Sequence, residues 1–125
     1  METGTLCRVR EIVWRDPRGG LWHVQVPTNR RERMRGLIGR DGLEPHHALL
    51  LLRTRSIHTF GMRFAVLVVL LDERLRVAGI KMLSPGRLLL PRAGVRHVLE
   101  CAGDADLHVG DRLRQEEDLT GRTRR

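Results

Sequence analysis

Apolar positions along this chain fall into short runs broken by turn-forming clusters, a spacing that predicts strands far more than helices. The clearest run is Phe64 to Leu71, FAVLVVLL, eight residues apolar at odd and even positions alike. A strand built from it must be covered on both faces, so it belongs in the core. Leu21 to Val26 alternates instead, with Trp22, Val24 and Val26 on one side and His23 and Gln25 on the other, the mark of a half-buried strand. The cluster Asp16-Pro17-Arg18-Gly19-Gly20 predicts the turn that joins it to a strand over Leu6 to Trp14. Ala48 to Leu52 is a short apolar strand. Asp72-Glu73-Arg74 is a tight turn, and Leu75 to Leu83 returns along the central run as a hairpin. After a second turn at Ser84-Pro85-Gly86-Arg87, strands are predicted over Leu88 to Leu90, Val95 to Cys101 and Leu107 to Leu113. Within Val95 to Cys101, residues Val95, His97, Leu99 and Cys101 share one face, and Arg96, Val98 and Glu100 the other.

One helix is predicted, over about 30–39. Asn29 and Glu32 have capping-box spacing, and Met34, Leu37 and Ile38 make the apolar stripe that would dock on the sheet. Gly36 inside it lowers helix propensity by about 1 kcal/mol relative to alanine, which suggests close approach to another backbone. The sequence therefore describes a mainly β protein, a compact antiparallel β-sandwich or barrel with one short helix packed on it. Residues 1–113 form a single domain and 114–125 a flexible charged tail.

At 125 residues the chain is long enough for one core without disulfide or metal staples. Its charge changes the picture: 23 basic against 15 acidic residues give a net charge of +8, and Lys81 is the only lysine. Arginine forks match carboxylate and phosphate oxygens, which points to an anionic partner. Arginine enrichment in a GC-rich genome is the competing explanation. Cys7 and Cys101 lack metal-type spacing and read as free thiols. Arg8, Arg10, Glu11, Arg15 and Asp16 interrupt any apolar export region near the start. The longest apolar run, eight residues, is far short of the roughly 20 that span a bilayer, so the expectation is a cytoplasmic protein with no membrane contact.

Charged and polar side chains gather where the central run begins. Arg33, Arg40, His58, Thr59 and Arg63 are the candidate site for a small anionic ligand or an acidic partner segment, with Gly61 admitting the ligand to the backbone. The bland alternative is that His58 and Thr59 tie the strand entrance to its neighbours. A small enzyme is the second class, with His58 as acid or base partnered by Thr59 or by Glu100 if folding brings that residue near. Non-specific nucleic-acid binding is the third, drawing on the arginine excess. Against it, Trp14, Trp22, Phe60 and Phe64 are too few for a stacking platform. The six histidines include no His-x-x-x-His pair, and His46-His47 diverge, so neither a metal nor another cofactor is expected. Oligomeric state is left open.

Several segments in order resemble a known prokaryotic family. Glu32-Arg33, Gly36-Leu37-Ile38, SIHTFGMRF at 56–64, LLD at 70–72, VLE at 98–100 and GDRL at 110–113 are similar to the family catalogued as domain of unknown function 192. The resemblance runs over roughly Trp22 to Leu113 and implies a compact, mainly antiparallel β fold with one short helix; it implies no activity. Ala65-Val66-Leu67 stand where that family usually has Pro-Leu-Asp, so chemistry requiring that acid is not carried by this chain at Leu67.

Overall fold

The computed structural model describes residues 9–29 and 36–116. Among the described residues, nine strands follow in chain order: β1 (Val9–Arg15), β2 (Leu21–Pro27), β3 (His47–Leu51), β4 (Ile57–His58), β5 (Val66–Leu71), β6 (Val77–Leu83), β7 (Leu88–Leu89), β8 (His97–Cys101) and β9 (Arg114–Gln115). Seven make one sheet in the order β6-β5-β8-β3-β2-β1-β9, and β4 pairs with β7 in a small second sheet. The mainly β expectation holds. Antiparallel pairing also holds except between β2 and β3, which run parallel because the 28–46 connection carries the chain back to the same end of the sheet.

Every residue of β5 is buried, as the two-sided run requires. Leu67, Val69 and Leu71 enter one apolar cluster with Trp14, Trp22 and Leu99. Val66, Val68 and Leu70 enter a second, on the opposite face, with Leu37, Ile57, Met62 and Val98. Each such side chain contributes about 1.5–3 kcal/mol on leaving water, so two-sided burial makes β5 the most heavily anchored strand. The turn after β1 is as expected. Buried Asp16 accepts the Trp22 indole N–H at 3.0 Å and the backbone N–H groups of Gly20 and Arg18 at 2.9 Å each.

Three features depart from the sequence reading. Of the predicted helix, 30–35 lie outside the described residues, and 36–39 form a turn in which Gly36 has a φ of 52°, a left-handed conformation that helix interiors do not use. Leu37 and Ile38 nevertheless pack on the sheet as anticipated. Cys7, Glu32, Arg33 and Met34 lie outside the described residues. Second, 107–113 is not a strand. The Asp111 carboxylate accepts the His108 N–H at 2.9 Å and folds this stretch into a turn, leaving one isolated bridge between Arg76 and Arg112. Third, Arg114–Gln115, assigned above to the tail, pair with β1, and Glu116 forms an ion pair with Arg15 at 2.7 Å.

Candidate functional site

β8 is the strand that carries the site. It lies between β5 and β3, with Glu100 opposite Val68 on one side and Leu49 on the other. Alternation sends His97, Leu99 and Cys101 to one face and Val98 and Glu100 to the other. On that second face the chain from Gly36 to Met62 closes over the sheet and leaves a cavity of about 90 Å³. Leu37, Leu51, Ile57 and Met62 provide its apolar wall; Thr54, Ser56, His58 and Glu100 provide its polar groups.

Glu100 is 2% exposed, and its Oε1 has no hydrogen-bond partner among the described residues. Burial pushes its carboxyl up to about 7, with the charge of Arg40 opposing the rise. An unpartnered buried carboxyl is costly to the fold, by about 1–3 kcal/mol for the missing hydrogen bond. Near neutral pH it divides between a neutral form that donates and an anionic form that only accepts.

His58 lines the same cavity. Its exposed ring stacks on Phe60 with centroids 5.1 Å apart, and its Nδ1 accepts the Phe60 backbone N–H at 3.3 Å. That bond leaves the proton of the neutral ring on Nε2. Thr59, fully buried, is occupied differently. Its hydroxyl donates to the Ser84 carbonyl at 2.6 Å and accepts the Arg87 N–H at 2.8 Å, clamping the turn before β7. Arg40 is exposed and donates to Gln25 Oε1 at 3.1 Å, beside a separate hollow that also includes Glu44 and His47. Arg63 pairs with Asp41 at 2.9 Å, both well exposed, and does not line the Glu100 cavity. Gly61, with a φ of 82°, serves a turn packed near Ile38. Of the five proposed site residues, His58 lines the cavity, Arg40 acts on Glu100 through its charge, and Thr59 and Arg63 face other partners. Arg33 falls outside the described residues.

On the first face, His97 is half-buried and its Nδ1 accepts the Arg53 N–H at 2.9 Å. Cys101 is a free, buried thiol. Among the described residues, no three His, Cys, Asp or Glu side chains cluster as a metal site, and no helix is long and apolar enough to cross a membrane.

The model of the uncharacterized family known as domain of unknown function 192 matches residues 13–115. The chain belongs to that family. UPF0127 protein PH1112 of Pyrococcus horikoshii is 36% identical over 63 residues, covering 46% of this chain and 55% of the relative, so the match spans about half of that protein's length. Two solved structures share the fold. A protein of unknown function from Novosphingobium aromaticivorans aligns with a TM-score of 0.70 at 16% identity, covering 91% of this chain and 90% of its own. A putative transcription regulator from Sinorhizobium meliloti aligns at 0.71 and 20% identity, covering 86% and 95%. Leu67 sits in the apolar cluster on the face opposite Glu100.

Proposed function

We propose that this protein is a small, non-catalytic binding module, and that its ligand occupies the cavity lined by His58 and Glu100. The observation that carries the reading is the buried Glu100 carboxyl, with Oε1 unpartnered among the described residues, at the wall of a cavity. A native fold keeps such a group when something else completes its hydrogen bonding. The ligand is a small anionic molecule with a hydrogen-bonding head. The head enters the cavity against Glu100 and His58, and its negative charge is drawn by Arg40, whose field already reaches Glu100. An acidic side chain of a partner segment has the same chemistry. The proposed location is the cytoplasm, which is consistent with the free thiol of Cys101.

The test is a thermal-shift and calorimetric screen of small carboxylates, hydroxy acids and sugar acids against wild type, Glu100→Gln, His58→Ala and Arg40→Ala. The expected result is a ligand-induced stabilisation of wild type that each variant loses or reduces at least tenfold in affinity. Equal ligand-induced shifts in all four proteins, or none in any, would discard the cavity as the binding site.

A second reading rests on the same pair. A carboxyl raised to about 7 in the same cavity as a histidine is suited to moving a proton, which is the small-enzyme alternative centred on His58. Turnover of a bound ligand that disappears in both His58→Ala and Glu100→Gln would favour it; binding without turnover favours the module.

A further inference from the structure

The entrance of β8 carries a different constellation. Arg53, Arg55, Arg96 and His97 surround a hollow of about 180 Å³, with Glu73 its one acidic member among the described residues. Glu73 and Arg96 also border a second hollow, shared with Asp72, Arg74 and Gly94. Residues more than forty positions apart meet here because β3 and β8 pair antiparallel with Leu51 opposite Val98, which brings the exit of β3 to the entrance of β8.

Some arginines elsewhere on the surface are already neutralised by a partner: Arg15, Arg18 and Arg63 each hold a carboxylate. Among the described residues, the guanidinium groups of Arg53, Arg55, Arg74 and Arg96 have no such partner. Asp72, which borders the second hollow, turns its Oδ1 to the backbone, accepting the N–H groups of Arg74 and Arg76 at 2.8 and 2.9 Å. The charges converge on one ring: burial first, then Arg53 and Arg96, hold His97 below its ordinary value. Its Nδ1 accepts the Arg53 N–H, so the neutral ring carries its proton on Nε2 and remains a donor.

The backbone is bent to achieve this. Arg53 has a φ of 51°, a left-handed conformation that side-chain-bearing residues rarely adopt. Beyond it the chain sends Arg53 and Arg55 to this basin and Thr54 and Ser56 to the Glu100 cavity.

We infer that this basin binds the phosphate group of a small phosphorylated molecule. One guanidinium suffices for a carboxylate. Three guanidinium groups with an imidazole N–H match a compact dianion that presents several oxygens, and arginine forks are shaped for it. The hollow admits a single phosphate head but no large organic body, so the rest of the ligand extends toward Arg74 and Gly94. This inference uses none of the residues of the Glu100 cavity and stands or falls separately from it.

The experiment titrates the full chain at low ionic strength with inorganic phosphate, glycerol phosphate and pyrophosphate, alongside acetate and a short DNA duplex. Calorimetry and amide NMR shifts provide the readouts. The expected result is saturable binding of the phosphate compounds, with the largest shifts at Arg53 and His97 and little response to acetate. Arg55→Ala and Arg96→Ala should each weaken it at least tenfold while the melting temperature stays within a few degrees of wild type. Arg87→Ala, whose side chain lines neither the basin nor the Glu100 cavity, should leave it unchanged. If either basin variant unfolds, Arg96→Lys replaces it and should show a smaller loss. The inference is overturned by the absence of saturable phosphate binding, by binding indifferent to both basin variants, or by tight DNA binding without any small-phosphate response.

Discussion

Replacing Glu100 by glutamine keeps the shape of the side chain and removes its titration, which isolates what burying that carboxyl does to the fold. In the folded protein its value is raised from 4.5 to about 7, chiefly by burial. The folded chain therefore holds this proton more tightly than the unfolded chain. Stability from this group is complete below about 4.5, declines as pH rises through the window, and levels off above about 7. At about 1.4 kcal/mol per pH unit, the full loss is about 3 kcal/mol, and between pH 5 and pH 8 it is about 2.5 kcal/mol. Asp16, Asp72, Asp111 and Glu116 are all held below their ordinary values and act at the acid end. They are common to both proteins and cancel in the difference. Urea unfolding followed by the fluorescence of the buried Trp14 and Trp22 provides the assay, repeated at intervals from pH 5 to pH 8. Glu100→Gln should gain about 2.5 kcal/mol on wild type across that range, roughly 10 °C in melting temperature. Two parallel stability-versus-pH curves would refute the reasoning, because they would mean that Glu100 ionises as freely in the folded chain as in the unfolded one.

Thr59→Val removes the donor to Ser84 and the acceptor for Arg87 and should cost about 1–3 kcal/mol in urea unfolding, with Thr59→Ser close to wild type. Asp16→Ala orphans the Trp22 indole N–H and should cost about 2–4 kcal/mol, with a change in the near-ultraviolet dichroism of tryptophan. Burial works against ionisation of Asp16, but its indole and backbone hydrogen bonds outweigh it. The effect should be full above about pH 4 and fade as pH falls through the lowered value. Leu99→Ala, in the cluster with both tryptophans, should cost about 2–5 kcal/mol by chemical denaturation.

Much of the fold was legible because its strongest signals are local. The two-sided run at β5, the alternation around Trp22 and the Asp16 and Asp72 turns depend on neighbours in sequence, and each is found where the pattern placed it. Leu107 to Leu113 misled because its alternation imitates a strand, whereas the Asp111 side chain competes for backbone N–H groups and makes a turn. The site was legible only in part. His58 was visible as a candidate, and its association with Glu100 was conditional on the fold. Glu100 itself alternates with Arg96 and Val98, a pattern that resembles a solvated face. It is buried because 36–62 fold over that face, which no periodicity within β8 records. The unpaired arginines were counted in the net charge but could not be located, since their meeting depends on the register between β3 and β8.

The short link from Arg53 to Ser56 is a partition wall with a different lining on each side. Its odd positions face the arginine basin and its even positions the acid of β8. Inserting or deleting one residue in this link would exchange the two linings, as a slip does along any extended chain. Guanidinium groups would then lie beside Glu100, neutralising it and filling its cavity, while hydroxyls took their place around His97. In this protein the length of a four-residue connector fixes the charge of two separate chambers.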